Sequence, residues 1–312
     1  MATQEKKRSI YFTQVDLEVL MNSYSEHEHI FRRKSNTAKA AKEREAAWEK
    51  TTAQVNAHTQ CELPTKSEKP STCYTEHQSP EESLDVSEII ARANADLKTP
   101  LTHGDIVPNL QRNADPCVTR GCMWPKRGSY VIVPVYISSR YTRDERNIII
   151  RGLLTFHRST CIRFVWRRYW HRHYLYFYSG SGCWSYLGRQ QRGQLVSLRK
   201  NGCLYTDIVQ HEVLHALGFH HEHVRSDRDQ YVAILTQNIL PGREHNFDQE
   251  DTNILGTPYD FNSVMQYSKY AFSKNGKPTI VSKSNPNLNF GRATQMSAND
   301  IARVNTLYSC PR

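Results

Sequence analysis

The stretch TDIVQHEVLHALGFHHEHVRSDRD, residues 206–229, decides the fold of this 312-residue chain. It contains the pattern H-E-x-x-H-x-x-G-x-x-H, whose fixed positions are held by His211, Glu212, His215, Gly218 and His221. His211 and His215 are one helical turn apart, so both imidazoles leave the same face of a helix and reach a single ion. Glycine tolerates the positive φ of a turn that ends such a helix, and this turn delivers His221 as a third nitrogen. Three nitrogens leave the fourth position of a tetrahedral zinc open to water, which is typical of a catalytic site.

Glu212 is predicted to act as a base at this site. A carboxylate beside the ligands takes a proton from a metal-bound water without binding the metal itself. The alternative for a lone H-E-x-x-H is a surface helix that happens to carry two histidines. The longer pattern and a second signal downstream favour the metal site. His220 and His223 do not fit the spacing, so neither is predicted to bind this ion.

The second signal is the sequence Ser-Val-Met-Gln-Tyr at residues 263–267. It looks like the Met-turn that underlies the zinc in metzincin peptidases, although a buried methionine alone is more often core filler. Together with residues 206–229, this stretch resembles the astacin family of zinc endopeptidases, and the resemblance covers about residues 83–310. It implies an α+β fold with a two-lobed catalytic domain, a zinc-binding helix, a Met-turn and one zinc ion per chain.

The resemblance also implies roles for single residues. Met265 supports the zinc site from below, and Glu222 binds the ammonium group of the mature N-terminus. Tyr267 is a fifth zinc ligand at rest that later donates to the oxyanion of the tetrahedral intermediate; the alternative is a structural tyrosine. Gln266 stands where many astacins have histidine, but that position is not a metal ligand.

A pro-segment is predicted at residues 83–112, ahead of a peptidase domain at residues 113–312. Gly104-Asp105 matches the family motif F-x-G-D, whose aspartate binds the zinc and keeps the enzyme latent. Thr102 occupies the aromatic position of that motif, so we expect a weaker latch than usual. The alternative for a lone Gly-Asp is an ordinary turn. Cleavage after Arg112 would make Asn113 the first residue of the mature enzyme.

Local patterns predict several elements around the site. Residues 83–97 form an amphipathic helix, and short strands lie at residues 131–137, 161–167 and 174–179. Residues 181–188 border the cleft as an exposed edge strand, on which an extended substrate can pair its backbone. Capping boxes open two further helices, with the residue pairs Thr142 and Glu145, and Ser297 and Asp300.

Six of the eight cysteines lie in the peptidase domain, and they are Cys117, Cys122, Cys161, Cys183, Cys203 and Cys310. None lies in a C-x-x-C pair, so the even number predicts disulfides and an oxidising compartment. Six cysteines allow 15 pairings, which the sequence alone does not distinguish. The family resemblance implies Cys161–Cys310 and Cys183–Cys203. It leaves Cys117–Cys122 as a short extra loop, similar to one in fish hatching enzymes.

Charge and family resemblance together predict the substrate. Residues 113–312 carry 26 Lys and Arg against 14 Asp and Glu, a net charge of +12, whereas residues 1–112 carry −2. A basic domain favours an acidic or polyanionic target. Within the family, the C-terminal third looks most like fish hatching peptidases, which implies a secreted monomer that cleaves egg-envelope glycoproteins. A different matrix substrate and an inactive, matrix-binding relative remain as alternatives.

The N-terminal region gives signals of a different kind. It has no apolar run long enough for a secretory signal, and no stretch approaches the length of a membrane span. Residues 1–57 are helical in pattern and resemble part of a Myb/SANT-like DNA-binding domain. The third helix that reads DNA is not evident in the polar linker at residues 58–82, so nucleic acid is not expected as a partner. A DNA-binding protein governed by residues 1–57 remains the rival function.

Overall fold

The fold is described from a computed structural model, which places residues 43, 46–47, 85–98, 100–108 and 122–311. Nearly all of the predicted Myb/SANT-like region, the linker at 58–82, and the predicted cleavage site between Arg112 and Asn113 lie outside these residues. Within the described ranges, no helix has both the length and the apolar character needed to cross a membrane.

A mixed sheet of seven strands forms one lobe of the described structure. The strands are β1 (Ile106–Val107), β2 (Lys126–Arg127), β3 (Tyr130–Ile137), β4 (Ile162–Trp166), β5 (Tyr174–Tyr178), β6 (Cys183–Tyr186) and β7 (Gly193–Leu198). Their order is β1-β6-β7-β5-β3-β2, and β4 also pairs with β3. Strand β3 is parallel to β4 and β5, β5 is parallel to β7, and β6 is antiparallel to β7.

Helices pack against the sheet. Residues 131–135 of β3 are all buried, and such an unbroken apolar run is typical of a strand covered on both faces. Helix α1 (Val86–Ala93) lies in the predicted pro-segment, and α2 (Arg143–Ser159) and α3 (Thr206–Leu217) pack against each other. A Cβ atom at Gly152 of α2 would lie 2.5 Å from the Val209 side chain of α3, so this glycine permits the close approach.

Both predicted capping boxes are present. Thr142 and Glu145 exchange the two hydrogen bonds at the start of α2, and Ser297 and Asp300 do the same at the start of α4 (Ala298–Leu307). These bonds satisfy backbone N–H groups that have no partner inside the helix. Helix α3 ends at Gly218, whose φ of 106° is left-handed as predicted.

The second lobe lies mostly between α3 and α4 and has little regular structure. Its two short strands, β8 (Val232–Ile234) and β9 (Ile280–Ser282), are antiparallel. It has its own hydrophobic cluster, which includes Phe247 and Tyr267, whereas Met265 belongs to the cluster beneath the sheet. The Met-turn therefore lies at the boundary between the two clusters, and the prediction of a two-lobed α+β fold is confirmed.

The predicted exposed edge strand is covered in this structure. Strand β6 falls within residues 181–188 as predicted, but β1, from the predicted pro-segment, pairs with it in parallel, Ile106 opposite Ser185 and Val107 opposite Tyr186. The prediction of an exposed edge was therefore wrong for this chain, because the extended residues 106–107 pair with the backbone groups at that edge of β6.

Two disulfides join described residues, Cys161–Cys310 and Cys183–Cys203. The first ties the start of β4 to the segment after α4, and the second ties β6 to the loop before α3. Both pairings are those that the family resemblance implied. Cys122 is also disulfide-bonded, but its predicted partner Cys117 lies outside the described residues.

Candidate metal centre

Three imidazoles converge at the C-terminal part of α3. His211 and His215 leave one face of the helix, and the left-handed turn at Gly218 brings back His221; all three are buried. The His211 Nε2 atom lies 3.1 Å from His215 Nε2 and 3.2 Å from His221 Nε2. A tetrahedral zinc ion with Zn–N bonds of about 2.0–2.1 Å holds its ligand atoms about 3.4 Å apart. The three nitrogens therefore fit such an ion with small adjustments.

The opposite ring nitrogens fix the orientation of two of these imidazoles. The Nδ1 atom of His211 lies 2.8 Å from the carbonyl of Val264, and that of His215 lies 2.7 Å from the carbonyl of Phe219. A carbonyl only accepts, so each Nδ1 carries the proton and each Nε2 directs a lone pair to the centre. Burial lowers the pKa of both His215 and His221, against the opposing charge of Asp105, which favours the neutral ligand form.

Asp105, from the predicted pro-segment, faces the three nitrogens. Its Oδ2 atom lies 3.0 Å from His211 Nε2 and 3.2 Å from His221 Nε2, and its Oδ1 lies 3.5 Å from His215 Nε2. Burial raises the pKa of this carboxyl, but its closeness to His221, His215 and His211 outweighs burial and holds the pKa well below its usual range. The carboxylate and the three imidazoles could therefore hold one metal ion together, and three imidazoles with one carboxylate form a donor set that zinc prefers.

Glu212 is buried beside these groups, and among the described residues no hydrogen bond replaces the water that its carboxyl loses. Its side chain is 0 % exposed, and neither carboxylate oxygen has a hydrogen-bond partner among the described residues. Burial raises its pKa well above the usual value, and the charge of Asp105 raises it further. An unpaired buried carboxyl costs free energy of folding, so its presence indicates a chemical role rather than a contribution to stability.

The Met-turn is hydrogen-bonded both to the His211 imidazole and to Asp300 of α4. Val264 accepts the His211 hydrogen bond, and the carbonyl of Met265 accepts one from the Glu222 N–H at 2.9 Å. The Asp300 carboxylate accepts from the Ser263 hydroxyl at 2.6 Å and from the Val264 N–H at 3.0 Å. The capping residue Asp300 therefore also holds the Met-turn, a second role that the sequence analysis missed.

Tyr267 is buried in the second lobe and contacts the predicted pro-segment. Its hydroxyl donates to the backbone carbonyl of His103, and its ring stacks on His223 with centroids 3.9 Å apart. Burial raises its pKa well above the usual value, and Asp105 and Glu212 add to the shift. The hydroxyl therefore keeps its proton at neutral pH and is available as a donor.

Glu222 lies in an ion-pair network in this uncut chain. One carboxylate oxygen accepts from Arg225 and from the Asp260 N–H, each at 2.9 Å, and the other accepts from Arg303. Arg303 was missed by sequence reasoning, because 81 residues separate it from Glu222 and no local pattern links the two. Gln266 accepts from the Tyr259 hydroxyl at 2.6 Å.

The family comparison agrees with this geometry. Residues 121–309 match Astacin (peptidase family M12, subfamily A). The chain is 43% identical over 229 residues to high choriolytic enzyme 2 of Oryzias latipes, covering 73% of this chain and 82% of that protein. It is 44% identical over 229 residues to the low choriolytic enzyme of the same species, covering 72% and 84%.

A solved structure and a second family also match. The structure of high choriolytic enzyme 1 from Oryzias latipes, described as a hatching enzyme zinc-protease, superposes with a TM-score of 0.61 at 43% identity, covering 64% of this chain and 100% of that one. Residues 8–68 match a Myb/SANT-like DNA-binding domain, a span that runs past residue 57 into the predicted linker.

Proposed function

Because the chain belongs to the astacin family of zinc metalloendopeptidases, we propose that it is secreted and cleaves the glycoproteins of an egg envelope at hatching. The observation that carries this proposal is the 43% identity to high choriolytic enzyme 2 across most of both chains. The disulfides Cys161–Cys310 and Cys183–Cys203 support an oxidising, extracellular setting.

Isolated egg envelopes provide the test of the substrate. The activated chain should release soluble envelope peptides, and a Glu212→Gln chain should release none. Cleavage of an unrelated protein without any effect on envelopes would instead indicate another matrix substrate.

In this proposal, His211, His215 and His221 hold the zinc. When bound there, zinc supplies a Lewis acid that polarises the scissile carbonyl and lowers the pKa of a water at its open position. Glu212 accepts the proton of the attacking water and returns it to the leaving amine. Its burial suits this work, because a base with a raised pKa holds the proton until the amine needs it.

Tyr267 stabilises the developing oxyanion once the pro-segment has gone. Its hydroxyl, now bonded to the His103 carbonyl, becomes free to donate to the carbonyl oxygen of a substrate. Met265 supports the floor of the site, and Glu222 is the group that would receive the new N-terminal ammonium after cleavage near Asn113. In the uncut chain Glu222 is already neutralised by Arg225 and Arg303, so that exchange would require an arginine to move.

Replacing Tyr267 by phenylalanine should lower kcat by about 10²-fold with a small change in KM, because the hydroxyl acts only when the oxyanion forms. Steady-state kinetics of the cleaved chain on a peptide substrate measure this. Tyr259→Phe is the matched control, since it removes a buried hydroxyl from the same cluster without touching the centre. An unchanged kcat in Tyr267→Phe would remove this residue from the mechanism.

The pro-segment keeps the enzyme latent by holding Asp105 at the centre. Asn94 pins it to the sheet, donating to the Gly104 and Cys183 carbonyls and accepting from the Cys183 N–H, at distances of 2.7–2.9 Å. Strand β1 then occupies the edge of β6. Asp105 and β1 thus block the open metal position and the substrate-pairing edge together, and cleavage between Arg112 and Asn113 would release both.

A basic surface offers a site for docking on an anionic coat. It surrounds a cavity of about 870 Å³ and is formed by residues 167–174 and 189–193, with Arg167, Arg172, Arg189 and Arg192 among its lining. Tyr169, 91% exposed, projects from the same surface. Arginine and aromatic side chains together suit acidic or sulfated glycans, which match the charge of +12 over residues 113–312.

If this surface docks the enzyme, added salt should reduce envelope release more steeply than cleavage of a small neutral peptide. The two activities are compared from about 0.05 to 0.5 M NaCl. At the upper end of this range the Debye length is below about 5 Å. Arg172→Gln should flatten the salt curve for envelopes, whereas Arg140→Gln, an exposed arginine outside the surface, should not. Parallel salt curves for the two substrates would exclude electrostatic docking.

The match of residues 8–68 to a Myb/SANT-like domain keeps a DNA-binding function as a second candidate. Duplex binding by residues 1–57 that weakens steeply with salt would support it. Sequencing the N-terminus of the protein isolated from its source distinguishes the candidates, since a mature enzyme that begins near Asn113 has lost this region.

A further inference from the structure

A second group of metal-binding side chains lies beside the catalytic centre. His103, His220 and Glu250 each offer one ligand atom, and these atoms all lie within 4.8 Å of one another. His103 is buried and belongs to the pro-segment, whereas His220 and Glu250 belong to the peptidase domain. The Glu250 side chain is 29% exposed, which leaves a path to solvent.

The hydrogen bonds of His103 direct a lone pair into this group. Its Nδ1 atom lies 3.2 Å from the Asn246 carbonyl and donates to it, as the Nδ1 atoms of His211 and His215 do to their carbonyls. In the neutral imidazole, Nε2 is then an acceptor, and it lies 2.7 Å from Glu250 Oε1, which is also an acceptor. Two facing acceptors require a cation between them, either a proton or a metal ion.

His220 distinguishes a metal ion from a proton. Its Nδ1 atom is buried and has no hydrogen-bond partner in the described part of the chain. Its ring meets that of His103 edge-on, with centroids 6.2 Å apart. A proton shared by His103 and Glu250 engages only two of the three side chains, whereas a metal ion would bind one atom from each.

We propose that His103, His220 and Glu250 bind a second divalent metal ion in the uncut chain. Two imidazoles and one carboxylate form a donor set suited to zinc, with a remaining position open to water from the exposed side of Glu250. His103 Nδ1 already has the carbonyl partner that metal-bound histidines need to fix their tautomer.

This ion joins the pro-segment to the peptidase domain next to the latch. His103 has a left-handed φ of 49° and Gly104 one of 84°, so the turn that presents Asp105 is tight. Thr102 and Ile106 close the turn with two backbone hydrogen bonds of 2.8 and 3.0 Å. An ion that fixes His103 therefore also fixes Asp105 at the catalytic centre. This contact compensates for the aromatic residue that is expected at position 102 and is replaced by Thr102. Once the pro-segment leaves, only two ligands remain and the ion is released.

Metal content of the full uncut chain tests the site directly. After dialysis against buffered free zinc, atomic emission should find about two zinc ions per uncut chain and about one after cleavage and removal of the pro-segment. His103→Asn and Glu250→Gln should each hold about one. Asparagine is chosen because it tolerates the left-handed backbone. His245→Gln, an exposed histidine outside the group, is the matched control and should hold about two.

The rate of proteolytic activation gives a second measurement, because it reports how firmly the pro-segment is held. Free zinc that fills the second site should slow proteolytic activation of the parent and of His245→Gln several-fold, while His103→Asn and Glu250→Gln should activate at a rate that does not respond to zinc. Circular dichroism of each variant checks folding. An uncut parent that holds one zinc at every free-zinc concentration, or variants that keep two, would overturn the proposal. Failure of the catalytic assignment would appear separately, as loss of the single zinc in the cleaved chain.

Discussion

Replacing Glu212 by glutamine should leave the chain folded and loaded with zinc while reducing peptide turnover by about 10²- to 10⁴-fold, the usual effect of removing a general base. Glutamine has the shape of glutamate but does not accept a proton at neutral pH. The three imidazoles that hold zinc are untouched, so the zinc content should stay the same while turnover falls. Zinc analysis beside a peptide assay on the cleaved chain measures both quantities.

The surroundings of Glu212 allow this variant to test proton transfer without a loss of stability. Its two oxygens have no partner within the described residues, so no hydrogen bond is lost and the folded state should be at least as stable as that of the parent. Asp207→Asn, a change of the same size in the first turn of the same helix, is the matched control and should keep its turnover. Substantial turnover by zinc-loaded Glu212→Gln would refute the role of this carboxylate.

Asp105→Ala should convert the uncut chain from a latent into an active peptidase. The carboxylate that faces all three imidazoles is removed, so the fourth position opens to water without cleavage. Turnover of the uncut variant should rise from background toward that of the cleaved enzyme. It should stop short of the full rate while β1 still covers the edge of β6.

Asp96→Ala is the control for this experiment, because it removes an exposed carboxylate from the same pro-segment and should stay latent. Some leakage from the parent is expected at low free zinc, since Thr102 stands where an aromatic residue is expected. The turn nevertheless packs closely on the peptidase domain: a Cβ atom at Gly104 would lie 2.9 Å from the Tyr267 hydroxyl and 3.1 Å from the Phe272 ring. Equal activity of the uncut parent and Asp105→Ala would leave the pro-segment only a steric or folding role.

The parts of the structure that followed from sequence are those specified locally. The spacing of His211 and His215, the left-handed turn at Gly218 and the two capping boxes all involve residues within about one or two helical turns of one another. Each is decided by backbone geometry, and therefore a pattern of residue types is enough to predict it.

Contacts between distant segments required either family resemblance or the structure. Asp105 and His211 are 106 residues apart, and only the resemblance suggested that they meet. The pairing of β1 with β6 and the Arg303–Glu222 ion pair were missed, because neither segment carries a pattern that specifies its partner. His220 was predicted not to bind the catalytic ion, since it does not fit the catalytic spacing. The turn at His103 gives it a different group of neighbours, and the second site stays a proposal.

Zinc content and peptide turnover, measured together on the cleaved chain, test the central claim most directly. A chelator should remove about one zinc per chain and abolish turnover in parallel, and restoring one equivalent of zinc should restore the rate. His215→Ala should neither retain that zinc at nanomolar free metal nor recover activity. Turnover that persists in the metal-free chain, or full zinc and activity in His215→Ala, would contradict a catalytic ion held by His211, His215 and His221.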